Sequence, residues 1–81
     1  MELIQMKYFL AVAREESISK AADFLYITQP SLTRQIQKME KEVGQPLFTR
    51  GKKMRLTEAG QLLRRRAEEI LSLYEKTERE L

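Results

Sequence analysis

From Ser17 to Gln37 the chain reads SISKAADFLYITQPSLTRQIQ, two short helical patterns joined by the turn-like Tyr26-Ile27-Thr28. The first pattern places Ile18, Ala21, Ala22 and Leu25 on one face, and the second places Leu32, Ile36, Met39 and Val43 on one face. The other face of the second helix begins with small polar and basic groups: Gln29, Ser31, Thr33 and Arg34. A helix buried on one side, with hydrogen-bonding side chains at its exposed N-terminal end, is built for insertion into a groove. The major groove of DNA fits that description, because there the N-terminus of the second helix of such a pair meets base edges.

The distribution of charge supports a polyanionic partner. Across the whole chain the formal net charge is only +3. Residues 1–27 hold three basic and four acidic side chains, and residues 58–81 hold five basic and six acidic ones, a net of −1 each. Residues 28–57 hold seven basic and two acidic side chains, a net of +5. The positive field therefore coincides with the insertion helix and the segment after it.

At 81 residues the chain is one small domain with little room for a large core. No run approaches the ~20 apolar residues of a membrane-spanning helix, and the N-terminus opens on an amphipathic pattern rather than a signal peptide. These features predict an intracellular, cytoplasmic protein. There is no Cys and no His. Disulfides, thiolate metal sites and the usual metal ligand and general base are thereby removed, and no cofactor is expected.

The pattern predicts a first helix over residues 2–15. Ser17 is suited to cap the second helix and Thr28 the third, with Pro30 in the third helix's first turn, where no backbone donor is lost. The third helix should run to Val43 and stop at Gly44, and Pro46 prevents any continuation. A short hairpin follows, Leu47 to Arg50 against Met54 to Leu56, with Gly51-Lys52 as a tight primed turn. Its tip and sides carry Arg50, Lys52, Lys53 and Arg55, which makes it a basic wing. Thr57 then caps a long helix from Glu58 to the end, in which Gly60 costs ~1 kcal/mol of helix propensity relative to Ala. Leu63, Ala67, Ile70, Tyr74, Thr77 and Leu81 recur at steps of four and three, a coiled-coil-like seam that Leu62 and Leu73 widen. The expected fold is mainly α: a winged helix-turn-helix over residues 1–57 and a dimerisation helix over residues 58–81.

The same residues resemble the N-terminal DNA-binding region of LysR-type transcriptional regulators, and the resemblance covers essentially the whole chain. It rests on Tyr8-Phe9, Ser17, Lys20-Ala21-Ala22, Leu25, Gln29-Pro30-Ser31 and Arg34-Gln35-Ile36. It continues through Glu40, Gly44, Leu47-Phe48, Arg50 and Leu56-Thr57-Glu58-Ala59-Gly60. The resemblance implies a bacterial transcription regulator that binds double-stranded DNA as a homodimer. It also implies a two-lobed effector-binding domain outside this stretch, through which a small-molecule effector acts. The segment between Arg50 and Leu56 is slightly shorter than the family pattern, which leaves open whether Lys52 or Lys53 reaches DNA.

Arg34 is the first candidate for contact, because a guanidinium grips a guanine edge bidentately or holds a phosphate. Gln29, Ser31 and Thr33 match family positions that contact DNA. Pro30 offers an apolar surface to a thymine methyl while also shaping the helix start. Thr28 is foremost a cap, with phosphate contact secondary. The reach of Gln37 and Lys38 depends on helix tilt. For Arg50, a phosphate or minor-groove contact and a structural ion pair weigh equally. Lys52 and Lys53 are suited to nonspecific phosphate contact. Ser17 and Lys20 lie where the DNA backbone could be held, though capping explains Ser17 better. Arg64-Arg65-Arg66 sits beside Glu68 and Glu69 at helical pairing distance and reads as a solvated face.

Two other classes compete. A protein-interaction module would use the C-terminal helix as a docking element with the basic face incidental, and the clustered +5 argues against it. An enzyme lacks His, Cys and any phosphate-binding glycine loop, and its carboxylates are scattered along helix faces.

Overall fold

The computed structural model describes all 81 residues, Met1–Leu81. Its elements are α1 (Leu3–Glu15), α2 (Ile18–Leu25), α3 (Gln29–Val43), β1 (Phe48–Thr49), β2 (Arg55–Leu56) and α4 (Glu58–Glu80). This is a winged helix-turn-helix followed by a long helix. Each helix starts where a side chain can take an orphan N–H. The Ser17 hydroxyl accepts from Lys20 N–H, Thr28 from Ser31 N–H and Thr57 from Gly60 N–H, at 3.2, 3.3 and 3.0 Å. Glu2 and Gln5 form a capping box at the start of α1.

Helix ends are set by left-handed residues. Gly44 stops α3 at φ 84°, where a side chain would be strained. Glu16 and Tyr26 adopt the same region at φ 54° and 57° although neither is glycine. Hydrogen bonds hold both turns: Glu16 N–H donates to Val12 O at 2.8 Å, and Ile27 N–H donates to Ala22 O at 3.1 Å. The second bond folds Ile27 onto the core and fixes the turn between α2 and α3.

The core is one cluster. Phe9, Ala11 and Val12 of α1 meet Ala21 and Ala22 of α2, Leu32, Ile36 and Met39 of α3, and Leu47 and Phe48 at the wing. The rings of Phe9 and Phe48 lie 5.2 Å apart and tilted by 46°, which ties the first helix to the first strand. Val43 departs from expectation: it lies past the last buried turn of α3 and is 39% exposed.

The wing also differs from the tight hairpin expected. Phe48 pairs with Leu56 and Thr49 with Arg55, so Arg50 to Met54 form a five-residue loop. Gly51 does not take the positive φ that a primed turn at Gly51-Lys52 needs. The reason is that the loop is anchored elsewhere. Met54 N–H donates to Glu16 O at 3.1 Å, and Arg55 pairs with Glu16 at 3.5 Å, so the second arm follows the α1–α2 turn.

Helix α4 docks through its first turns. Thr57 N–H donates to Leu47 O at 3.0 Å, and the Thr57 hydroxyl donates to Pro46 O at 2.8 Å. A Cβ at Gly60 would stand 2.1 Å from the Leu47 carbonyl oxygen and 3.0 Å from a Leu56 methyl. Gly60 is therefore a contact requirement and not merely a weak helix former. Farther along, Ala67 and Leu71 are buried and Leu63 packs on the core, whereas Ile70, Tyr74, Thr77 and Leu81 stay exposed.

The seam expected from spacing thus divides. Leu63 and Ala67 are turned into their own chain, because the steps of four and three straddle the boundary between the docked face and the open one. Leu71 joins the docked face although it fell outside the expected seam. The open apolar stripe is Leu62, Ile70, Leu73, Tyr74 and Leu81, rotated toward Leu62 and Leu73.

Helix propensity alone predicts that Gly60→Ala stabilises the fold by ~1 kcal/mol. The clash with a backbone carbonyl reverses the sign, and a net loss of about 1–3 kcal/mol is expected. Urea denaturation of the two proteins decides between these outcomes.

Candidate nucleic-acid interface

Leu32, Ile36 and Met39 are at most 1% exposed, so the apolar side of α3 is committed to the core as far as Met39. Everything on its opposite side is presented outward. Gln29, Pro30, Thr33 and Arg34 line one shallow concavity at the helix N-terminus. Thr33 also borders a second hollow, shared with Ile18, Ile36, Gln37, Arg50 and Met54, between the outward face of α3 and the wing. The structure therefore brings the N-terminal candidates together and sets Arg50 beside them.

A short relay of hydrogen bonds organises the first concavity. Thr28 Oγ1 donates to Ser31 Oγ at 2.9 Å, and Arg34 Nη2 donates to the same oxygen at 3.2 Å. Both lone-pair positions of the Ser31 hydroxyl are then occupied, and its O–H remains a donor for an external acceptor. Arg34 has only this hydroxyl as a side-chain partner and no carboxylate at ion-pair distance. Its remaining N–H groups face outward from a helix N-terminus, which itself favours anions.

The cations of the central segment separate into two groups. Arg50 Nη2 donates to Glu40 Oε1 at 3.2 Å, and Arg55 pairs with Glu16. Arg34, Lys38, Lys41, Lys52 and Lys53 are exposed and have no ion-pair partner. Lys38 lies one turn beyond Arg34 on α3, while Lys52 and Lys53 sit in the wing loop between β1 and β2. Thr28 and Ser17 both act as caps. Arg66 pairs with Glu69 at 3.1 Å, both more than half exposed, as expected for a solvated face.

Glu40 had no assigned role in the sequence reading. Its carboxylate is 14% exposed and takes three donors: Leu47 N–H at 2.8 Å, Phe48 N–H at 3.3 Å and Arg50. No periodicity could have revealed this, because the partners lie seven, eight and ten residues ahead, across the Gly44 turn. The available signals were its place in the family pattern and its being one of only two carboxylates in a basic segment.

Comparison with known proteins agrees with this geometry. Residues 3–61 match the family profile described as bacterial regulatory helix-turn-helix protein, lysR family. A probable RuBisCO transcriptional regulator of Synechocystis is 45% identical over 76 residues, covering 93% of this chain and 22% of that protein. The HTH-type transcriptional regulator BsdA of Bacillus subtilis is 43% identical over 77 residues, 93% of this chain and 27% of BsdA. The chain thus spans about a quarter of the length of such relatives. Among solved structures, the complex of the BenM DBD with benA site 1 DNA superposes with a TM-score of 0.92 at 42% identity, covering 95% of this chain and 88% of that one. The CbnR DBD–DNA complex gives 0.94 at 37% identity, covering 99% and 93%.

Proposed function

This chain belongs to the LysR family of bacterial helix-turn-helix regulators, and on that premise we propose that it reads an operator in double-stranded DNA as a homodimer. Its DNA-binding unit is residues 1–57, and residues 58–81 link and pair two copies. The observation that carries the reading is the exposed N-terminal half of α3. There Gln29, Pro30, Thr33 and Arg34 line one concavity while the opposite side of the helix is completely buried. Such a helix enters the major groove end-on. Arg34, free of carboxylates, takes a guanine edge or a phosphate, and Gln29, Ser31 and Thr33 bond neighbouring base edges or backbone oxygens. Pro30 presents apolar surface to a thymine methyl. Thr28 and Arg50 touch the backbone as secondary contacts, and Lys38, Lys52 and Lys53 supply unspecific attraction. The two BenM and CbnR relatives named above were solved with DNA, which supports this use of the same face.

Pairing follows from the open stripe on α4. Leu62, Ile70, Leu73 and Tyr74 are each more than two-fifths exposed, and Leu81 is fully exposed. A run of large apolar side chains along one helix marks an interaction surface, and a second copy covers it symmetrically. The dimer contacts are therefore Leu62, Ile70, Leu73, Tyr74, Thr77 and Leu81, without Leu63, which packs on the core, and the buried Ala67. Two recognition helices then meet an inverted repeat whose half-site spacing the pair sets. No helix of the chain is long and apolar enough to cross a membrane. The regulator works on the nucleoid in the cytoplasm, and it acts by binding rather than by catalysis. A small-molecule effector would act through a further domain of the whole regulator.

Arg34→Ala should cost about 1–3 kcal/mol in specific binding and relax preference at one base pair. Fluorescence anisotropy with a duplex recovered by selection from a random pool checks this, and unchanged affinity would remove Arg34 from the interface. Ile70→Glu and Leu73→Glu should each leave the helical circular dichroism of the head intact while shifting sedimentation to a monomer. A persistent dimer in both variants would refute pairing through this stripe.

A further inference from the structure

The hollow between the outward face of α3 and the wing holds an ion pair whose inner partner, Glu40, has no part in the reading above. Arg50 is more than half exposed, yet its guanidinium is not randomly placed. It is bonded through Nη2 to Glu40 Oε1, whose other oxygen is already held by the amides of Leu47 and Phe48. Glu40 is thus fixed by the backbone at the exit from α3 and cannot follow a moving arginine. Ile18, Ile36 and Met54 wall the hollow on its apolar side, and Thr33 and Gln37 of the outward face of α3 border it. A guanidinium carries five N–H donors in a rigid plane. One of them is bonded to Glu40, and the exposed remainder of the group borders the outward face of α3.

We propose that Glu40 aims Arg50 at a backbone phosphate flanking the recognition helix, so that Glu40 is a positioning residue for DNA binding. The inference rests on the functional reading above and deepens it. Arg50 has two acceptors at once, a fixed carboxylate inside and a phosphate outside. The carboxylate holds the planar group in register, and the phosphate contact locks the wing at a set distance from α3. Because Glu40 is the element that does not move, loss of its charge leaves Arg50 present but unaimed.

Glu40→Gln separates aim from support, since the amide oxygen still accepts from the Leu47 and Phe48 N–H groups while its NH2 faces Arg50. Affinity for a selected duplex is measured by anisotropy over a range of salt for the wild type, Glu40→Gln, Arg50→Ala and the double variant, with thermal melts alongside. Arg50→Ala should weaken binding about tenfold and flatten the slope of log K against log salt by about 0.9, the loss of one phosphate contact. Glu40→Gln should reproduce both changes, and the double variant should bind no worse than Arg50→Ala alone.

A Glu40→Gln protein that binds more tightly with a steeper slope would show that Glu40 restrains Arg50, overturning the proposal. A loss that adds to that of Arg50→Ala at unchanged slope would show support only, and also overturns it. If Glu40→Gln does not fold, Arg50→Lys tests the same point: the charge remains but the shared plane is gone. Affinity should then fall nearly as far as in Arg50→Ala, and wild-type affinity would sink the idea. A neutral Arg50→Ala beside a damaging Arg34→Ala overturns this inference alone. A wild type with no salt-dependent DNA binding overturns the functional reading together with it.

Discussion

The peptide groups of Leu47 join the two halves of this molecule. Its N–H donates to Glu40 at the end of α3, its carbonyl accepts from Thr57 at the start of α4, and its side chain is buried in the core. The same carbonyl fills the space that a side chain at position 60 would occupy. One residue therefore carries the mechanical path from the helix that faces outward to the helix that bears the open apolar stripe. Backbone contacts of this kind resist deformation, because a hydrogen-bonded carbonyl against a glycine has no rotamer to yield.

That path explains why so small a domain can hold a helix of 23 residues. At ~1.5 Å per residue α4 is roughly 35 Å long, comparable to the 42 Å long dimension of the whole chain. Only the part up to Leu71 is buried against the head, through Gly60, Leu63, Ala67 and Leu71 against the core and α1. The remainder keeps helical geometry because it continues a docked nucleus, and propagation is far easier than initiation. Its apolar side chains are then left open by geometry, not by weak packing.

The local code was legible for a physical reason. Ser17, Thr28, Gly44 and Thr57 act within a few residues of themselves, so their types alone announced the helix limits that the structure shows. The buried faces of α2 and α3 were legible because helical periodicity repeats over several turns. What escaped were contacts between distant segments. Glu40 reaches across the Gly44 turn, Glu16 draws in Met54 and Arg55, and Leu47 meets Gly60. The five-residue wing loop follows from the second of these, since its far arm is anchored to α1–α2 and need not close on a tight turn. The seam on α4 was half legible for a related reason. Spacing identifies an apolar side of a helix, but it does not say which part of that side its own chain will cover.

The division of cations into held and free groups gives the outward face its character. Arg50 and Arg55 are restrained by carboxylates that also hold the wing, so their charge is partly spent on shape. Arg34, Lys38, Lys41, Lys52 and Lys53 carry no such restraint, and they supply the field that attracts a polyanion from a distance. A flexible unpaired lysine contributes long-range attraction with little positional information, whereas a guanidinium held from behind contributes position. Arg34 stands between these extremes, because its one partner is the neutral hydroxyl of Ser31, itself tied to the Thr28 cap. Its direction is biased without its charge being neutralised. For the base-edge contact proposed for Arg34, a weak neutral partner is the best holder: a carboxylate would compete with the groove, and no partner at all would leave the full entropic cost of ordering to the moment of binding.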